Sequence, residues 1–76
     1  MVTLIEEVRL VRRLPPPGLA RQIRIAAGVT QQRLADELGV DRSTILRWEF
    51  AKRRPSRRLA RRYADLLTAL QREVGE

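Results

Sequence analysis

At 76 residues, with a net charge of +7 and neither cysteine nor histidine, the chain suits one small domain and lacks the means for a disulfide framework, thiol chemistry or nearly any zinc site. No apolar run approaches the roughly 20 residues of a membrane span, and Glu6 and Glu7 argue against a secretory leader, so a cytoplasmic protein with no membrane partner is expected. Fifteen of the sixteen basic residues are arginine, and from Arg42 to Arg62 nine basic residues face only Glu49, a balance that points to nucleic acid.

Thr3 and Glu6 have capping-box spacing, and Leu4, Ile5, Val8 and Val11 follow at helical intervals. This predicts a helix from Thr3 to Arg13 whose apolar residues pack on its own domain or on another copy, although alternation through Val8, Leu10 and Arg12 also permits a short strand. Leu14-Pro15-Pro16-Pro17-Gly18 should end it as a stiff spacer at about 3.1 Å per residue. Residues 1–17 therefore read as a helix and spacer, and residues 18–76 as the main domain.

Leu19, Ile23, Ala26 and Ala27 mark the inward stripe of the next helix, closed by Gly28, with Arg21 and Arg24 on its other sides. Thr30 is placed to cap a helix that aims Leu34, Ala35 and Leu38 at one centre. Gly39 can take the positive φ that stops that helix, Val40 fills the corner, and Asp41 can cap a following helix carrying Ile45 and Trp48. Ala35 must be small where two helices cross steeply over a short turn. Beyond Phe50 comes a basic loop, Ala51–Pro55, then Ser56 as a cap and a core-completing stripe of Leu59, Tyr63, Leu66, Leu67, Leu70 and Val74. Arg57, Arg58, Arg61 and Arg62 lie opposite that stripe. A membrane-surface helix would look similar, but this apolar face is needed to cover Ile45 and Trp48.

No catalytic constellation is visible. Ser43, Thr44 and Ser56 have no histidine to activate them, while Glu6-Glu7 and Asp36-Glu37 are sequence neighbours that diverge on a helix. No glycine loop cradles a phosphate, so no enzyme, metal, cofactor or small-molecule ligand is expected. With Trp48 and Tyr63 assigned to the core, base stacking on single strands is poorly supported.

Residues 30–50, with Gln31, Ala35, Gly39, Ile45 and Trp48 in register, resemble the helix-turn-helix of the phage repressor and Cro family. The resemblance extends to Leu19–Val29 before it and to Trp48-Glu49 and Pro55 after it, about two-thirds of the chain. It departs at Phe50-Ala51, where the family usually has a small polar residue and then glycine. The resemblance implies an all-α, lambda-repressor-like bundle of about five short helices that binds double-stranded DNA sequence-specifically, helix 42–50 entering the major groove. It also implies that Arg24 pairs with Glu49, and that Arg42, Ser43 and Arg47 stand at base-contacting positions.

Arg42 and Arg47 can fork onto guanine, and Ser43 and Thr44 can donate or accept, the other reading of each being a phosphate contact. Gln31, Lys52, Arg53 and Arg54 are the phosphate candidates. Leu46 and Phe50 face away from Ile45 and Trp48, toward thymine methyls or under the N-terminal helix. The expected role is a small phage- or prophage-type transcriptional regulator, nucleoid-associated when bound, with a homodimer on a two-fold site placing recognition helices about 34 Å apart. An excisionase-like architectural recombination factor and an antitoxin-type interaction module are the alternatives. No separate effector or toxin-neutralising segment is visible to favour them.

Overall fold

The structure, a computed structural model, describes residues 3–75, and in the first helix leaves out the side chains of Glu7, Leu10, Val11 and Arg12. The described residues form five helices and no strand: α1 (Leu4–Arg13), α2 (Pro17–Ala26), α3 (Gln31–Leu38), α4 (Arg42–Glu49) and α5 (Arg57–Gly75). The capping box forms, Thr3 N–H donating to Glu6 Oε2 at 3.4 Å and Glu6 N–H to Thr3 Oγ1 at 3.2 Å, so the segment that also permitted a strand is a helix. The proline spacer is shorter than expected. Pro17 already lies in the first turn of α2, where its missing N–H costs no helical bond and its fixed φ suits the helix.

Three helices end on the same device. After α2, Gly28 adopts φ 71° while its N–H reaches Ile25 O and that of Val29 reaches Arg24 O. After α3, Gly39 repeats this with bonds to Asp36 O and, from Val40, to Ala35 O. Each pair satisfies two carbonyls that a helix end would otherwise leave bare. After α4 the left-handed residue is Ala51, at φ 57°, with its N–H on Trp48 O and that of Lys52 on Arg47 O. The loop after α4 thus keeps the geometry glycine favours, with a Cβ in a region that disfavours one. Ala51→Gly should therefore stabilise the domain by roughly 0.5–1 kcal/mol, after the larger chain entropy of glycine when unfolded is set against the relieved strain. Urea unfolding measures it; a loss of stability would mean that this turn carries no strain.

Capping is otherwise mixed. Thr30 Oγ1 accepts from Arg33 N–H at 3.0 Å and Ser56 Oγ from Leu59 N–H at 3.4 Å, as expected. Asp41 holds the cap position of α4 but its side chain accepts no cap bond, contrary to expectation. Arg62, expected on a solvated face, instead donates to Leu38 O and Glu37 O at the C-terminus of α3, where a cation meets bare carbonyls and the negative end of the helix dipole.

The core sits where α3 and α4 meet α2 and α5. Leu34, Ala35, Leu38, Ile45 and Trp48 pack with Ala20 and Ile23 from α2 and Tyr63 and Leu67 from α5, and Ala35 is fully buried at the crossing. Leu59, Leu66 and Leu70 lie against this cluster, while Val74 is exposed. Because the apolar face of α5 is taken up in this way, the membrane-surface reading has no face left to use. Among the described residues no helix is long and apolar enough to cross a membrane.

Two inward faces differ from expectation. In α2, Leu19 is 50% exposed and Ala26 is exposed, while Ala20, Ile23 and Arg24 are buried. In α1, Leu4 is 72% exposed, and Ile5 and Val8 are exposed too, whereas the expectation for Val11 lies outside the described side chains. Arg13, at the end of α1, pairs with Asp65 of α5. Nine positions at about 100° each put Leu4 on the opposite side of the helix from that contact. Within the chain α1 packs on α5, with Leu14 reaching the core, and its exposed apolar residues look outward.

Tyr63 stands 2% exposed with its hydroxyl unpartnered among the described residues. Burial pushes this phenol up from 10.0 to about 12, with Glu49 adding to the shift and Arg24 opposing it. An unfolded tyrosine ionises near 10. Between the two values the unfolded chain has lost a proton that the folded chain still holds, so stability falls as pH rises through that window and is unaffected below it. The expected loss is about 2–3 kcal/mol across the window. Tyr63→Phe should remove that slope. As Tyr63 is the only tyrosine, its absorbance titration reads the ionisation directly, and a transition near pH 10 in the folded protein would contradict the burial argument.

Candidate nucleic-acid interface

What orients α4 is a buried ion pair. Arg24 Nε donates to Glu49 Oε2 at 2.6 Å and its Nη2 to Glu49 Oε1 at 3.0 Å, the two-pronged geometry that a guanidinium and a carboxylate favour. Arg24 Nη1 also donates to Val29 O at 2.8 Å, and Gln31 Nε2 to Glu49 Oε1 at 3.1 Å. The Arg24–Glu49 pair thus ties the end of α4 to α2, to the loop before α3 through Arg24 and to the first residue of α3 through Glu49. Both charged groups are buried, and the hydrogen bonds to Glu49 raise the Arg24 guanidinium above its ordinary range although burial opposes this. The pairing implied by the resemblance is therefore present.

With Ile45, Trp48 and Glu49 buried, the rest of α4 is set by helical geometry. Arg42, Ser43, Leu46, Arg47 and Phe50 all fall within an arc of about 140° and all are exposed. Leu46 and Phe50, at 41% and 54% exposure, are thus not covered by α1. Thr44 lies outside this arc and is half-buried, at the margin of the exposed face. The Arg21 guanidinium sits 5.8 Å from the centre of the Phe50 ring, a cation–π contact that braces the end of α4 against α2. Nothing in the spacing of Arg21 and Phe50 announced this contact.

Arg42 opens α4, and the first turn holds no acid. A cation there opposes the helix dipole at a cost of some tenths of a kcal/mol, and the Asp41 carboxylate at the neighbouring cap position favours it. Beyond α4, Lys52, Arg53 and Arg54 are exposed in the loop that the Ala51 turn starts. Gln31, half-buried, has its side-chain amide on Glu49, so what it can turn outward is the start of α3, where first-turn N–H groups lack helical partners.

Comparison with known proteins agrees with this geometry. A helix-turn-helix family model matches residues 21–68, from the middle of α2 through most of α5. No curated protein and no solved structure matches the chain.

Proposed function

This chain belongs to the repressor/Cro-type helix-turn-helix family and is thus a DNA-binding transcription regulator, and we propose that it is of the small phage or prophage kind and acts by inserting helix 42–50 in the major groove. The observation that carries this reading is the exposed arc of α4 and its cap, Arg42, Ser43, Leu46, Arg47 and Phe50, turned away from the buried Ile45 and Trp48, with the buried Glu49 at its edge. Arg42 and Arg47 fork onto guanine edges and Ser43 supplies a short donor and acceptor between them, with Thr44 at the margin. Leu46 and Phe50 offer apolar surface to thymine methyls. Lys52, Arg53, Arg54 and the start of α3 at Gln31 hold the backbone phosphates and set the register. A homodimer on a two-fold site would align two such faces about one helical turn apart.

The test separates base reading from charge. Arginine on guanine discriminates by about 1–3 kcal/mol, whereas arginine on phosphate acts alike on every sequence through released counterions. Arg42→Ala and Arg47→Ala should weaken binding to a site selected from genomic DNA far more than to scrambled duplex. Arg53→Ala should weaken both equally and lower the slope of log affinity against log salt by roughly 1. If Arg42 and Arg47 variants lose affinity equally on both duplexes, the chain is instead a nonspecific binder. Footprints as clustered direct repeats beside an attachment site would favour an excisionase-like architectural role over regulation at a promoter. Copurification with a toxin that masks the α4 face would favour an antitoxin.

A further inference from the structure

A groove of about 840 Å³ opens where the proline spacer, the loop after α4 and the start of α5 meet. That is within the roughly 300–1,000 Å³ of small-molecule sites. Its walls divide chemically. Leu14, Pro16, Trp48 and Ala60 supply apolar surface, and Arg53, Arg54 and Arg57 supply positive charge, while no aspartate or glutamate is among the described residues that line it. Four other arginines are engaged, Arg13 with Asp65, Arg24 with Glu49, Arg33 with Glu37 and Arg62 with the end of α3. Arg53 and Arg54 have no side-chain hydrogen bond or ion pair among the described residues, so two guanidinium forks stand ready beside an apolar wall.

We propose that this groove is a site for a soluble amphiphilic carboxylate, an apolar body ending in one carboxylate, and that its occupation competes with duplex DNA. The body lies on Leu14, Pro16 and Pro17 and removes apolar surface from water, while the carboxylate takes the planar donors of Arg53 and Arg54. A neutral apolar molecule leaves those donors unused, and a small anion leaves the wall wet. Competition follows because the same two arginines are assigned to phosphate, a step that rests on the proposed DNA-binding role. Occupation neutralises charge that the duplex would otherwise use.

Trp48 is the only tryptophan and lines the groove, so its emission reports on the site without a label. Sodium decanoate, titrated into the full chain below its micelle-forming concentration and without DNA, should change that emission saturably at one per chain. Decanol and acetate should bind roughly tenfold or more weakly, and Arg53→Gln/Arg54→Gln should weaken decanoate by a similar factor with an unchanged helical circular dichroism spectrum. A response that never saturates, decanol binding as well as decanoate, or a double variant that binds like the parent would overturn the site. With DNA present, saturating decanoate should weaken duplex binding roughly tenfold while decanol does not. Unchanged duplex affinity at a saturated Trp48 signal would overturn the competition. A chain that binds no duplex at all would refute the DNA-binding reading, and the emission titration would still decide the site.

Discussion

Trp48→Ala is expected to remove about 3–5 kcal/mol of folding stability, the range for truncating a large buried aromatic. Trp48 is 4% exposed and its ring lies 5.1 Å from that of Tyr63, tilted by 37°, so its loss opens the junction between α4 and α5. Aromatic pairs in this offset arrangement add about 0.5–1.5 kcal/mol beyond the area they bury. A domain of this size has only about 4–11 kcal/mol in total, so the variant should lose a large fraction of its stability, and at the low end of that range it would sit near its midpoint at room temperature. Circular dichroism in urea is the measurement, since the substitution removes the fluorophore. Trp48→Phe, which keeps an aromatic face toward Tyr63, should lose far less. A Trp48→Ala variant that melts with the parent would mean that α4 is not anchored through this side chain, and the exposed face assigned to DNA would lose its reference.

How much of this was readable beforehand depended on how many neighbours an element has. α3 and α4 are crowded on one side, so Leu34, Ala35, Leu38, Ile45 and Trp48 had one possible destination, and all five are buried. Gly28 and Gly39 announced their turns because φ 71° suits a residue without a Cβ. Ala51 was harder, since the same turn occurs there without the residue that signals it. α2 misled because Leu19, Ile23, Ile25, Ala26 and Ala27 leave several stripes equally apolar, and the true one runs through Ala20 and a charged residue, Arg24. Periodicity scores a buried arginine as surface. Only the resemblance gave that residue a partner, and the geometry of its bonds to Glu49 explains why it can be buried at all. α1 misled for the opposite reason. A terminal helix with α5 as its main neighbour buries one strip, and the apolar residues that defined its period, Leu4 and Val8, lie on the other side. Of the candidate interface, the exposed arc of α4 was legible from the positions of Ile45 and Trp48 alone, whereas the Arg21–Phe50 contact and the groove beside Arg53 depend on how loops meet in space.

The buried pair leads to the other large effect. Glu49→Ala should lose about 3–5 kcal/mol, because it leaves the Arg24 guanidinium in the interior with Val29 O as its remaining acceptor. Arg24→Ala should lose a comparable amount for the converse reason, since Glu49 is 3% exposed and would retain only the Gln31 amide. Removing both charges at once is a different experiment. In Arg24→Met/Glu49→Leu no charge is stranded, apolar side chains of similar reach fill the same space, and the double variant should be more stable than either single one. What the double variant should not recover is the fixed position of α4, because the two hydrogen bonds between Arg24 and Glu49, the one from Arg24 to Val29 O and the one from Gln31 to Glu49 are directional and apolar packing is not. The expected outcome is therefore a folded chain whose discrimination between selected and scrambled duplex is reduced while its salt dependence, which the proposed phosphate contacts of Lys52, Arg53 and Arg54 would set, is unchanged. Single variants as stable as the parent would show that the pair contributes little to folding. A stable double variant with full sequence discrimination would show that core packing alone aims the recognition helix.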